Sequence, residues 1–283
     1  MNQLATSFTQ EDHQALMRAY EALEHPGLAA RVSNFLGIPV TASLKLLPRP
    51  WSMALATASE AAVAKALDVA LTSLGQKPPM TRPRNSSHRL LSMATGAAGG
   101  FFGLPALLVE LPVTTIIMLR SIADVAQGEG EDLTELDARL ACVNVLAFGG
   151  RSTEDTYTEL GYYELRAAVA LHFSVVSRHV VARGGVNGHL PATVNLIRSI
   201  AARFGIIISE KAAVQMVPVL GAAAGAFVNN AFMEHFQNVA GGHFTVRRLE
   251  RKYGCEVVEA AYRAIEAEQE PPCVSASAAR ATL

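Results

Sequence analysis

The sequence predicts an all-α protein, and three observations support that prediction. Alternating apolar and polar runs rich in β-branched residues are scarce, while alanine dominates the long segments. Glycine and proline stand between those segments, where helices begin or end. Half of the 283 residues are apolar and only 17% are charged, so the chain can bury a substantial core. We expect a compact multi-helix bundle with two glycine-rich apolar helical hairpins and an N-terminal helical arm.

The first two helices have recognisable start and stop signals. Thr9 and Asp12 resemble a capping box for a helix that stops at Pro26. Pro50 suits the first turn of the second helix, and Gly75 is its natural C-cap.

A proline-rich loop follows these two helices. Residues 76–87 contain three prolines, which a helix interior does not tolerate. We therefore divide the chain into an N-terminal helical arm and linker at residues 1–87 and a helical body at residues 88–268. Residues 269–283 are expected to form a disordered tail.

Two stretches of the body carry no charged residue, namely residues 90–109 and residues 212–233. Each has about the 20 residues that a helix needs to span a bilayer, but glycine and proline interrupt both. A pair of buried core helices and a membrane span both remain open. Glycines four residues apart clear one helix face and allow close backbone contact, so we expect the two stretches to pack together. The spaced pairs are Gly96/Gly100, Gly99/Gly103 and Gly221/Gly225.

Local signals also predict where helices of the body begin. Pro112 and Pro191 suit the first turn of a helix. Asp132 suits a cap before LTELDARLACVNVLAF, and Ser209 suits a cap for the helix entering the second uncharged stretch. Thr245 is expected to begin the short helix VRRLERKY, and Gly254 is expected to end it.

Composition narrows the function and the compartment. The formal net charge of −1 argues against general nucleic-acid binding, which needs a basic surface. The three cysteines are far apart and fit neither a disulfide framework nor a metal motif. The first residues lack a basic start and an apolar core, so no signal peptide is predicted. A cytoplasmic location is expected, peripheral to the inner membrane, with integral insertion left open.

The standard catalytic signatures are missing from the sequence. It contains no HExxH, GxSxG, P-loop or dinucleotide-binding motif, and the question of a cofactor is left open. The candidates for acid–base or zinc chemistry are Glu110, His235 and His243, because carboxylate and imidazole suit both roles. The eight-residue spacing of the two histidines does not support a metal site, so no metal is predicted.

Two further groups of charged residues are candidates for binding. Arg120 and Asp124 are spaced to pair across one helical turn. Arg247 and Arg248 concentrate positive charge after the second uncharged stretch, where anionic lipid headgroups would attract them. Glu250 dilutes that charge and can pair with Arg247, so a solvated helix face is the alternative.

Long ordered segments of the chain resemble the bacterial EcsC family. They include HRLLSMATGAAGGFFGLPALLVELPVTTIIMLRSIADVA, GYYELRAAVA and ISEKAAVQMVPVLGAAAGAFVNNAFMEHFQNVAGGHFTVRRLERKYG. The resemblance runs from about residue 88 to residue 253. It falls on Gly100, Phe102, Gly103, Pro105, Glu110, Pro112, Arg120, Asp124, Pro218, Gly221, His235, Phe236, His243, Phe244, Arg247, Arg248, Glu250 and Gly254.

The resemblance implies an all-helical, membrane-linked protein. The family takes its name from a gene beside an ABC-type transporter implicated in secretion and regulated proteolysis. Its members are labelled transporter-associated hydrolases, but that label names no catalytic residues. The resemblance therefore leaves the activity open.

These observations are consistent with three functions. The favoured one is a non-enzymatic accessory role at the cytoplasmic membrane face. In that role the protein binds lipid or a membrane-protein partner such as an ABC-type transporter. The first alternative is a hydrolase that uses Glu110, His235 and His243, with or without metal. The second is a pocket between helices for an acyl chain. We expect those three residues to lie near Arg120 and Asp124 in the fold.

Overall fold

The computed structural model describes residues 8–24, 48–76, 85–102, 104–150, 161–183, 191–215 and 221–269. Within these ranges the regular structure is entirely helical, so the predicted compact all-α fold is confirmed. The described helices are α1 (Gln10–Glu24), α2 (Arg49–Ser73), α3 (Asn85–Phe102), α4 (Leu104–Gly128), α5 (Leu136–Phe148), α6 (Tyr162–Arg183), α7 (Pro191–Gln215), α8 (Gly221–Tyr253) and α9 (Cys255–Gln269).

Several predicted helix ends are confirmed. The Asp12 amide donates to Thr9 Oγ1 at 3.2 Å, and the Thr9 hydroxyl donates to the Asp12 carboxylate at 2.9 Å, which caps α1. Pro50 lies in the first turn of α2, and Pro191 begins α7. Gly254 follows α8 with a φ of 92°, a conformation that favours glycine. The predicted stop at Pro26, most of the proline-rich loop, Gly103 and Pro218 lie outside the described residues.

Three predicted helix starts are wrong because each residue lies inside a longer helix. Pro112 is inside α4. Ser209 is inside α7, where its hydroxyl donates to the Gly205 carbonyl at 2.8 Å instead of capping a new helix. Thr245 is inside α8, which runs unbroken for 33 residues. These local signals failed because packing against neighbouring helices sustains each helix through residues that favour helix ends.

The Gly-Gly pair within α8 serves packing and does not end the helix. A Cβ atom on Gly242 would lie 2.9 Å from Leu23 Cγ and 3.0 Å from the Ala19 carbonyl oxygen, both in α1. The bare backbone at Gly242 therefore lets α1 lie close against α8. Nothing stands within 4 Å of a Cβ atom on its neighbour Gly241.

The long helix α8 runs through the bundle and contacts α1, α3, α4, α5 and α9. A second group forms where α2 packs against α4, α5 and α7. Buried side chains of α1 and α2, including Leu16 and Leu55, belong to the same hydrophobic core as Phe204, Phe232 and Phe236. The two described helices that precede residue 77 are therefore packed into the bundle.

Helices α3 and α8 lie antiparallel with their backbones in contact. A Cβ atom on Gly96 would clash with the Gly225 carbonyl oxygen, so glycine is required at this crossing. The contact joins the two uncharged stretches of the sequence. We call the part of the bundle built from described residues 90–102, 104–109, 212–215 and 221–233 the uncharged end.

Candidate functional site

A buried polar cluster lies at the boundary of the uncharged end, centred on Glu110 of α4. Its Oε1 atom accepts hydrogen bonds from Thr114 Oγ1 at 3.0 Å, Lys211 Nζ at 3.0 Å and Asn229 Nδ2 at 2.6 Å. The Lys211 side chain is 0% exposed and the Glu110 side chain 8% exposed. Three helices, α4, α7 and α8, thus meet at one carboxylate oxygen.

Asn229 connects this cluster to α3. Its Nδ2 atom donates to the Ser92 carbonyl at 2.9 Å, and the Ser92 hydroxyl donates to the Asn229 carbonyl at 3.1 Å. The Ser92 carbonyl and the Glu110 carboxylate both accept, so only the amide nitrogen of Asn229 fits between them. The orientation of the amide is therefore set by its neighbours, and Asn229 Oδ1 and Glu110 Oε2 are left without a hydrogen-bond partner.

The electrostatics of the cluster are those of a buried ion pair. Burial lowers the pKa of Lys211, and attraction to Glu110 opposes that change. Removing two charges from water is costly, and their pairing recovers only part of that cost. The result is an ammonium and a carboxylate that neutralise each other inside an apolar part of the bundle.

Exposed apolar side chains lie on both helices of the α3–α4 hairpin. Val109 is 78% exposed and Val113 is 52% exposed, one helical turn apart on α4. Leu90 is 70% exposed on α3, where Leu91 and Met93 are also exposed. We call these five side chains the hairpin residues. Isolated exposed apolar residues are ordinary, but these five lie on two consecutive helices, which makes the hairpin a candidate interaction surface.

The structure places Arg120 and Asp124 side by side but gives them different partners. Asp124 Oδ2 lies 3.0 Å from His88 Nε2, whereas Arg120 donates to Ser73 Oγ at 3.3 Å. Both residues line a cavity of about 10 Å³ together with Gln127, which is room for about one water molecule. Their predicted binding role stays a prediction.

The three candidates for catalysis do not converge. His235 Nε2 lies 2.9 Å from the Gly149 carbonyl, and His243 Nδ1 lies 2.7 Å from the Tyr162 hydroxyl. Asn229, which contacts Glu110, is 14 residues from His243 in α8, a rise of about 21 Å. The expected convergence fails because one continuous helix holds these residues apart. Among the described residues no three His, Cys, Asp or Glu side chains form a possible metal site.

His243 is buried among aromatic rings. Burial lowers its pKa well below the usual value, and the positive charges of Arg166 and Arg247 act in the same direction. The imidazole is therefore uncharged at neutral pH. Its environment, which includes Phe148 and Tyr162, is that of a packed core residue.

The basic residues near the end of α8 are paired with carboxylates. Arg247 Nε donates to Glu131 at 2.9 Å, and its Nη2 atom also contacts Asp137 at 2.9 Å. Glu250 does not pair with Arg247, because Arg166 binds both of its oxygens, at 2.6 and 2.7 Å. The remaining pairs are Arg248–Glu129, Arg248–Asp12, Arg251–Glu131 and Lys252–Asp12. Each basic side chain of this segment thus has an acidic partner.

Sequence reasoning missed Lys211 and Asn229. Lys211 is the last charged residue before the second uncharged stretch, and Asn229 lies inside that stretch. A polar side chain in such surroundings needs a buried partner, and this is the signal that could have identified both. Their partner Glu110 was identified by the same reasoning.

Two described helices are long and apolar enough to cross a membrane when judged by length and composition alone. They are Pro105–Gly128, whose most apolar window is 56% buried, and Pro191–Val214, whose window is 39% buried. A core helix of a water-soluble bundle passes the same test, so this finding is weak support for a membrane role.

Comparison with known proteins gives one result. Neither the curated proteins nor the solved structures provide a match to this chain. The EcsC protein family matches residues 28–249, which is most of the sequence and contains Glu110, Lys211 and Asn229. The chain belongs to the EcsC protein family.

Proposed function

We propose that this protein is a non-enzymatic accessory protein that binds the cytoplasmic face of a membrane by inserting its α3–α4 hairpin among the lipids. One observation carries the proposal. The hairpin exposes Leu90, Val109 and Val113 at the uncharged end, where Glu110 and Lys211 are buried and paired. The bordering Arg89, beside Leu90, lies 3.8 Å from Glu234. A surface that enters lipid must be apolar outside and must neutralise any charge inside.

The energetics favour shallow insertion. Transfer of an exposed valine or leucine side chain from water to an apolar surrounding contributes about 1.5–3 kcal/mol. Leu90 lies 12 residues before Phe102, the end of α3, a helical rise of about 18 Å. That length is close to half of the roughly 30 Å hydrocarbon core, so the hairpin fits one leaflet.

The hairpin is a better membrane contact than the basic segment at the end of α8. Arg247 and Arg248 would have to give up Glu131 and Glu129 before they could bind headgroups. The hairpin residues need no such rearrangement, because they are already exposed. A membrane-protein partner, such as the ABC-type transporter that the family resemblance implies, would be met at the same membrane face.

The test is flotation of the full-length protein with neutral and anionic vesicles. The variant carries Val109→Lys and Val113→Lys, and the matched control carries Leu171→Lys, since Leu171 is 73% exposed on α6. We expect the double variant to lose at least about tenfold in vesicle affinity, equivalent to about 1.4 kcal/mol, while the control binds like the wild type.

High salt should leave binding to neutral vesicles unchanged, because the contact is apolar. Absence of wild-type flotation, or equal flotation of the double variant and the control, would refute the proposal. Binding that requires anionic lipid and disappears in salt would point instead to basic side chains.

The hydrolase alternative is not proposed. Glu110, His235 and His243 each have separate partners and lie along different parts of the bundle.

A further inference from the structure

An open groove of about 470 Å³ runs between α2 and α7, a volume within the range of ligand sites. Ala56 lies on the α2 side, and Ala202, Gly205 and Ile206 lie on the α7 side. The two alanines and the glycine leave a channel that larger side chains would fill.

The charged side chains of the groove lie together at one rim. Ser52 and Ser209 also line the groove, but their hydroxyls donate to carbonyls of their own helices, at 2.8 Å in each case. Glu60 and Arg198 are the charged residues of the lining. Arg198 Nε lies 4.0 Å from Glu60 Oε1. The Glu60 side chain is 49% exposed and the Arg198 side chain 66% exposed, so both charges are accessible to a ligand.

The groove is oriented with respect to the uncharged end of the bundle. Ser209 is two residues from Lys211, which lies at the boundary of that end. Arg198 is 11 residues before Ser209 in α7, a rise of about 16 Å. The groove therefore leads from the uncharged end of the bundle to a rim that carries one positive and one negative charge.

We propose that this groove binds one acyl chain of a zwitterionic phospholipid, with the headgroup at the rim. The acyl chain of the lipid would lie on Ala202, Gly205 and Ile206. Arg198 would pair with the phosphate and Glu60 would face the headgroup cation, because an exposed pair of opposite charges complements a zwitterion. The inference rests on the proposed function in one respect, which is that the membrane supplies the lipid.

The chain contains a single tryptophan that reports on this groove. Trp51 precedes the lining residue Ser52 in α2. The probe is lysophosphatidylcholine, used below the concentration at which it forms micelles and without vesicles. A nitroxide quencher is attached either at the end of its chain or next to its headgroup. We expect saturable quenching of Trp51. The label at the end of the acyl chain should quench more strongly than the headgroup label, because Trp51 is next to Ser52, and Ser52 lies at the opposite end of the groove from Glu60, where the headgroup would bind.

Two variants distinguish binding in the groove from binding elsewhere on the surface. Ala202 lines the groove and is exposed, so Ala202→Phe should fill it without disturbing the core. Ala61 is exposed on the same helix as Glu60 but does not line the groove, so Ala61→Phe is the control. We expect Ala202→Phe to weaken binding at least about tenfold and Ala61→Phe to change it by less than about twofold.

The charges are tested with single-charge ligands. A fatty acid and an alkyl trimethylammonium of the same chain length should each bind more weakly than lysophosphatidylcholine. Equal binding of all three would overturn the headgroup assignment. No saturable quenching, or unchanged binding by Ala202→Phe, would overturn the groove itself.

The two proposals fail separately. The Val109→Lys and Val113→Lys variant leaves the groove intact, so it should bind monomeric lysophosphatidylcholine like the wild type. If the wild type binds lysophosphatidylcholine but not vesicles, the hairpin proposal alone is refuted. If the wild type binds vesicles but not lysophosphatidylcholine, the groove proposal alone is refuted.

Discussion

Lys211 Nζ lies 3.0 Å from Glu110 Oε1, and this ion pair joins α7 to α4 beneath the uncharged end of the bundle. Asn229 of α8 donates to the same oxygen at 2.6 Å. Because the pair is removed from water, each partner depends on the other for compensation. Removal of one partner alone is therefore expected to lower the stability of the fold.

Replacing Lys211 with methionine should destabilise the fold by about 3–5 kcal/mol, because it leaves a buried carboxylate without its counter-charge. Adding Glu110→Gln should restore most of that loss, since glutamine keeps an acceptor for Asn229 and carries no charge. Urea unfolding of the wild type, both single variants and the double variant measures the coupling. Losses that simply add in the double variant would show that the pair does not act as a unit.

Gly96→Ala should destabilise the bundle by about 1–3 kcal/mol, because its Cβ atom would collide with the Gly225 carbonyl oxygen. The matched control is Gly241→Ala within α8, where nothing stands within 4 Å of the added atom. That control should stabilise the protein by about 0.5–1 kcal/mol, because alanine favours helix over glycine. Thermal unfolding of both variants is the measurement, and equal effects would contradict the tight crossing.

Asp12 should contribute to stability at neutral pH and lose that contribution in acid. Hydrogen bonds from Lys252 and Tyr253 hold the pKa of Asp12 well below its usual value. A lowered pKa stabilises the fold above the pKa of the unfolded chain, about 3.9, and the contribution falls as pH drops below it. Urea midpoints should therefore separate the wild type from Asp12→Asn at pH 7 and converge towards pH 2. A constant difference between the two proteins would count against the ion pair.

His243 should make the protein less stable as pH falls below neutrality. Its pKa is lowered by burial, so the unfolded chain takes up a proton at about pH 6.5 while the folded protein resists it. The stability contribution is complete above that pH and decreases below it. Urea midpoints between pH 8 and pH 5 should fall less steeply in His243→Gln than in the wild type. His13→Gln, at an exposed position, is the control and should keep the wild-type slope.

The sequence predicted which segments are helical far better than it predicted where each helix begins and ends. Thr9 with Asp12 and Pro191 marked true starts, because each signal acts through neighbouring backbone groups. Pro112 and Ser209 carried similar signals but lie inside helices. Neighbouring helices pack along α4 and α7 and outweigh a local preference of about 1–3 kcal/mol.

The sequence identified only part of the candidate site. Glu110 stood out because it ends an uncharged stretch, and burial of a charge demands a partner. The sequence offered His235 and His243 as that partner, whereas the fold supplies Lys211 and Asn229. Partner choice depends on which helices are neighbours, and spacing along one chain segment does not contain that information.

The sequence by itself determined the all-α class, the EcsC resemblance, and the low charge of the two stretches that meet at Gly96 and Gly225. These properties follow from composition, local backbone preference and ordered motifs, which are readable one segment at a time. Only the tertiary structure decided that Lys211 neutralises Glu110, that Arg247 is held by Glu131, and that a groove separates α2 from α7. The physical reason is that charge pairing and burial arise between helices distant in sequence, after the core has fixed their positions.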